Sequence, residues 1–114
     1  FKHLGQFKHL KNLNLSGTGV TDKDLAHVKS LKQLNALDLS RNPIKGSGLK
    51  NLSEMTALGT LNLSSTSLND QALTHLESIS HLKKIRVLNL ENTLLTTKGY
   101  ERTGRLFRQA DVRF

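Results

Sequence analysis

The sequence predicts a repeat fold of the α/β class, on two observations. Segments beginning at Leu10, Leu34, Leu58 and Ile85 share one apolar template, the first three 24 residues apart and the fourth 27 further on. Behind most of the templates, short polar side chains stand just ahead of apolar residues spaced by three or four, the pattern of a helix start. Self-similarity at a period of roughly 20 to 50 residues marks repeat architectures, in which each unit buries its apolar side only against its neighbours.

The template defines its elements in order. Leu13, Leu37, Leu61 and Leu88 form one apolar column, Leu15, Leu39, Leu63 and Leu90 a second, and Val20, Ile44, Leu68 and Leu95 a third. Between the second and third lies a bend that carries Thr18, Asn42, Thr66 and Thr93, side chains able to hydrogen-bond nearby backbone. The bend of the first coil reads "SGTG", which by itself resembles a phosphate loop. Its Gly17 and Gly19 align with Arg41 and Pro43, Ser65 and Ser67, and Asn92 and Leu94. A phosphate cradle would not be rebuilt with such residues, so the stretch reads as a repeat turn.

Helix starts are expected at Thr21 and Asp22, at Asn69 and Asp70, and at Thr96 and Thr97. The second coil has "KGSGL" there, so a looser, less helical crossing is expected. The three additional residues fall near Ile79. Leu73, Leu76, Ile79 and Leu82 stay near one face, because three residues add almost one helical turn. The insertion should lengthen a helix and keep the register.

The pattern L-x-x-L-x-L-x-x-T/N-x-L resembles the leucine-rich repeat over about residues 10–97, with partial coils at 1–9 and 109–114. The endings "TGVTDKDL" and "TSLNDQAL" are similar to the variants of about 24 to 26 residues found in bacterial repeat proteins and F-box adaptors. The asparagine column is mostly threonine here, and the adaptor-type cysteine is absent. The resemblance implies one domain over residues 1–114: a curved solenoid with a parallel sheet on the concave side and helices on the convex side. It also implies non-catalytic protein recognition or scaffolding within a larger, bacterial multi-domain or effector protein.

On such a sheet the leucines point inward and the residues between them outward. The outward column Asn14, Asp38, Asn62 and Asn89, with Arg41 and Glu91 beside it, is the candidate groove for a protein partner; a solvated spacer sheet is the alternative. The columns contain no aromatic anchor. At the ends, Leu4 and Phe7 stand where a preceding helix would be, and Val112 and Phe114 fall where a fifth strand would be. With no obvious polar cap at either end, edge-to-edge self-association is a further expectation.

Net charge is +8, with +3 in residues 1–11, none in residues 12–82 and +5 in residues 83–114. Lys98, Arg102, Arg105 and Arg108 form one stripe if "TKGYERTGRLFRQ" is helical. The stripe is either a solvated or capping face or a contact for nucleic acid, an anionic membrane or an acidic protein.

Enzyme chemistry is not expected. With no cysteine there is no disulfide, thiolate metal site or cysteine nucleophile, and the nine acidic residues are scattered. Neither G-x-S-x-G nor H-E-x-x-H occurs. His3, His27 and His75 share a column with Asn51 in the gap but lack the further ligands zinc needs, so no metal or cofactor is expected. No apolar run is long enough to span a membrane and no signal segment stands at the start, which reads as a soluble chain. A reducing compartment and a secreted effector are both compatible. A first residue of phenylalanine suggests a piece of a longer protein.

Overall fold

The leucine spacing builds a ladder of very short strands. The computed structural model describes residues 1–114. Strands β1 (Asn12–Asn14), β2 (Ala36–Asp38), β3 (Thr60–Asn62), β4 (Val87–Asn89) and β5 (Asp111–Arg113) form one parallel sheet in chain order. Leu13, Leu37, Leu61, Leu88 and Val112 pair in register along its centre. The fifth strand therefore forms where the 24-residue offset from Leu88 placed it. Burial follows alternation: Leu37, Leu61 and Leu88 are fully buried, whereas Leu13 and Val112, each with a coil on one side only, are half-buried. One continuous apolar cluster runs from Leu15 to Phe107 between the sheet and the convex layer.

The convex layer is helical on every return, as expected, but mostly in the 3-10 form. The first two coils return through 3-10 helices, Asp22–Val28 and Ser47–Leu52. In the third coil a 3-10 turn, Asp70–Ala72, runs into the short helix α1 (Leu73–Glu77). Only the fourth coil holds a longer helix, α2 (Thr97–Leu106). Packed α-helices lie ~8 to 10 Å apart, but strands repeat every ~4.8 Å. A 3-10 helix is slimmer and lessens that mismatch. The long helix sits in the last coil, with a neighbour on one side. The insertion is accommodated in α1 and in hydrogen-bonded turns at Ile79, Ser80 and Leu82, and Leu61 still pairs with Leu88.

Thr21, Asn69 and Thr96 occupy the N-cap positions in extended backbone. Asn69 and Thr96 accept from the amides of Gln71 and Gly99. Asp22 and Asp70, read as helix-start residues, act across coils. The Asp22 carboxylate accepts from the amides of Lys45, Gly46 and Gly48 in the second coil, at 2.8, 3.0 and 2.8 Å. The second crossing is thus tight, contrary to the expectation of looseness. A Cβ on Gly48 would lie 2.4 Å from the Asp22 carbonyl oxygen, so glycine is what permits this approach.

Asp70 repeats the device for α2, accepting from the Thr96 amide at 2.9 Å and from the Thr96 hydroxyl. These bonds to the Thr96 side chain and backbone hold the Asp70 carboxyl below the usual carboxylate range. A lowered folded-state pKa contributes stability that is present above the unfolded value of about 3.9 and lost as pH falls through the folded value. The melting temperature should therefore drop on acidification below about pH 4. Asp70→Asn should make that drop shallower. An identical acid profile in a melting series would remove Asp70 from the account.

Candidate recognition surface

Every outward residue of the central column is fixed by its own coil. Asn14, Asp38, Asn62 and Asn89 each use Oδ1 to accept the amide two residues on, from Ser16, Ser40, Ser64 and Glu91, at 2.9 to 3.0 Å. These Asx turns steer the chain out of each strand. Because a backbone amide can only donate, they also fix the orientation of the three asparagine amides. The Nδ2 donors of Asn14, Asn62 and Asn89 are left without partners in the chain. Asp38 additionally accepts from the Ser40 hydroxyl at 2.6 Å, and the Ser40 and Ser16 hydroxyls meet at 2.9 Å. The strand register sets the four column residues side by side.

Behind this column Asn42 holds two coils together. Its Oδ1 accepts from the amides of Thr18, Gly19 and Val20 at 3.1, 2.9 and 3.0 Å. Its Nδ2 donates to the carbonyls of Leu15, Leu39 and Ser40. The amides of Thr18 and Gly19 in "SGTG" and of Val20 after it, groups a phosphate loop would aim at an anion, are occupied by this carbonyl, and those of Ser16 and Gly17 by Asn14 Oδ1 and the Ser40 carbonyl. The equivalent threonines do less: Thr18, Thr66 and Thr93 each return a hydroxyl to the carbonyl three residues earlier. The bend imposes left-handed backbone at one recurring position, with φ of 65° at Gly17, 58° at Arg41, 54° at Ser65 and 57° at Asn92, and in the first coil at Gly19 as well, with φ of 80°. Such a conformation suits glycine and asparagine better than arginine or serine.

Arg41 and Glu91 are exposed in the bends of the second and fourth coils. They are two coils apart and neither forms an ion pair, since the salt bridges are Lys32–Glu54 and Arg113–Asp111. A shallow depression of about 310 Å³ lies on the sheet against Asn14, Asp38 and Asn62 and excludes Asn89, Arg41 and Glu91. A larger hollow of about 550 Å³ sits at the first coil's edge, along Gln6–Asn12, away from the column. The sequence reading missed Arg113, which pairs in register with Asn89 and extends the column onto β5. Its distance of 24 residues from Asn89 was the available signal.

The basic stripe is partly assembled. Lys98, Arg102 and Arg105 are exposed on α2, while Gly99 and Thr103 face inward. Arg108 lies beyond the helix, because the chain leaves the helical path at Phe107 to bury that ring. Tyr100 also packs inward, donating its hydroxyl to the Leu90 carbonyl, and its ring stacks on Phe114 at 4.4 Å. His3 is exposed, and His27 and His75 are half-buried. No helix is long and apolar enough to cross a membrane.

A family profile described as Leucine Rich Repeat matches residues 33–55, the coil that carries Asn42. Leiomodin-1 actin-binding site 2 has a similar structure, with a TM-score of 0.73 at 12% identity over 98% of this chain and 76% of that one. This is a leucine-rich repeat solenoid. The solenoid is also similar to an internalin of Listeria monocytogenes, with a TM-score of 0.61 at 19% identity over 99% of this chain and 37% of that one. A search of curated proteins by sequence finds no match. In the leucine-rich repeat solenoid, Asn42 alone keeps the asparagine of the family pattern, and it makes the bonds its three threonine counterparts lack.

Proposed function

We propose that the solenoid is a non-catalytic module that recognises or scaffolds another protein through its concave column, within a larger bacterial multi-domain or effector protein. One observation carries the reading. Asn14, Asp38, Asn62 and Asn89 stand in register with their side chains already fixed by Asx turns, so little ordering remains to oppose binding. Arg113 adds a cation at the end of the row and Arg41 and Glu91 supply opposite charges at its border. Proteins of similar fold include one named for an actin-binding site and an internalin, which supports a protein partner in general and no particular one.

The test is capture from nuclease-treated lysate on the immobilised chain. Asp38→Arg with Asn62→Arg introduces two bulky cations into the column and should abolish capture. Arg102→Glu with Arg105→Glu, on the far side, should leave it intact. Capture of the same protein by the chain and by the column variant would reject the concave site.

A further inference from the structure

Charge in this molecule is sorted by position within the coil, which a count along the chain does not show. Residues 11, 35, 59, 86 and 111 form a ladder across the start of the sheet: Asn35 N donates to Lys11 O, Gly59 N to Asn35 O, Arg86 N to Gly59 O and Asp111 N to Arg86 O, at 2.7 to 2.8 Å. The segments that lead into the five strands therefore lie side by side along one rim. The first brings Lys8 and Lys11, the second Lys29 and Lys32, the fourth Lys83, Lys84 and Arg86, and the fifth Arg108, all exposed. The acids are Glu54 in the third, paired with Lys32 at 2.9 Å, and Asp111 in the fifth, paired with Arg113 at 3.0 Å. This rim sets eight cations against two acids and so holds +6 of the net charge of +8, whereas the opposite rim, with Arg41 and Lys45 against Asp22, Asp70 and Glu91, holds −1.

From this segregation we propose that the strand-entry rim is an electrostatic docking face for an anionic lipid surface. The charges spread in two directions. Lys11 and Arg86 adjoin the sheet, Lys29 adjoins the convex layer, and the rim runs through five coils over about 20 Å. A plane engages such an array at once, whereas a nucleic-acid duplex touches it along a line. Six of the eight cations are lysines, which act as point charges without the fork that reads phosphates and base edges bidentately. Phe7 is exposed beside Lys8 in the first segment, but the other four segments expose no Phe, Tyr or Trp, so the rim has no row of rings on which successive single-stranded bases would stack. Polybasic segments are drawn to anionic leaflets by such accumulated charge. The rim is distinct from the concave column, so protein recognition and surface attachment are separable.

Co-sedimentation tests this, using vesicles of two parts phosphatidylcholine to one part phosphatidylserine against phosphatidylcholine alone. At about 0.15 M salt the Debye length is about 8 Å, so charges remote from the membrane contribute little. Two variants change net charge equally: Lys83→Glu, Lys84→Glu, Arg86→Glu on the rim, and Lys98→Glu, Arg102→Glu, Arg105→Glu on α2. The chain should bind the anionic vesicles only, and the rim variant should lose affinity by about tenfold or more while the α2 variant changes by about twofold or less. The milder pair Lys83→Gln, Lys84→Gln should show a smaller loss, which keeps the test open if the triple variant unfolds. Equal losses in the two triple variants, equal binding to both vesicles, or displacement from vesicles by duplex DNA at equal phosphate concentration would overturn the proposal.

Discussion

Asn42→Ala is expected to lower the free energy of unfolding by about 3 kcal/mol or more. The side chain is 3% exposed and closes six hydrogen bonds to backbone groups of two coils. Its removal leaves the amides of Thr18, Gly19 and Val20 and the Leu39 carbonyl without a partner, while the Leu15 and Ser40 carbonyls keep the Thr18 hydroxyl and the Gly17 amide. Several of these lie where water enters poorly, and a buried unsatisfied polar group costs about 1 to 3 kcal/mol. Thr66→Ala is the control. It occupies the same place in the next coil and returns a single hydroxyl bond, to Leu63, so a loss of about 1 kcal/mol is expected. Urea unfolding followed by circular dichroism compares the two directly. Equal shifts would mean that Asn42 does not fasten the first two coils as described.

Leu61→Ala should cost about 2 to 5 kcal/mol. Leu61 is 0% exposed at the middle of the sheet, with Leu37 and Leu88 in register on either side. Neighbouring strands fix its position on both sides, so the surroundings cannot collapse into the space left behind. Leu13→Ala, in the half-buried edge position of the same column, should cost clearly less. An unchanged thermal midpoint for Leu61→Ala would contradict the repeat register.

The parts of the fold readable from sequence are those the repeat states at one position per coil. The leucine columns, the bend residues, the N-caps Thr21, Asn69 and Thr96, and the fifth strand at Val112 all follow from one template laid down at intervals of 24 or 27 residues. What was not readable depends on two coils together. The carboxylates of Asp22 and Asp70 start helices locally, but their hydrogen bonds go to the next coil, where Gly48 and Gly99 leave room for them. Glycine in "KGSGL" accordingly reads as looseness along the chain and proves to be close contact across it.

The same difference applies to the candidate surface. Asn14, Asp38, Asn62 and Asn89 were identifiable by alternation, but the Asx turns that immobilise them were not, because each bond goes to a backbone amide, which every residue but proline carries and no side-chain pattern marks. Arg113 was overlooked because the last coil is short and its strand was read from Val112 and Phe114 alone. The charged rim was hidden because its clusters, at residues 8–11, 29–32, 83–86 and 108, stand far apart along the chain and are joined only by the stacking of coils.

The most direct test of the central claim, recognition through the concave column, is amide hydrogen exchange on the complex with a captured protein. The account predicts added protection at residues 12–16, 36–41, 60–65 and 87–92, with the convex segments 22–28 and 97–106 unchanged. Protection confined to those convex segments, or to the strand-entry rim, would contradict it.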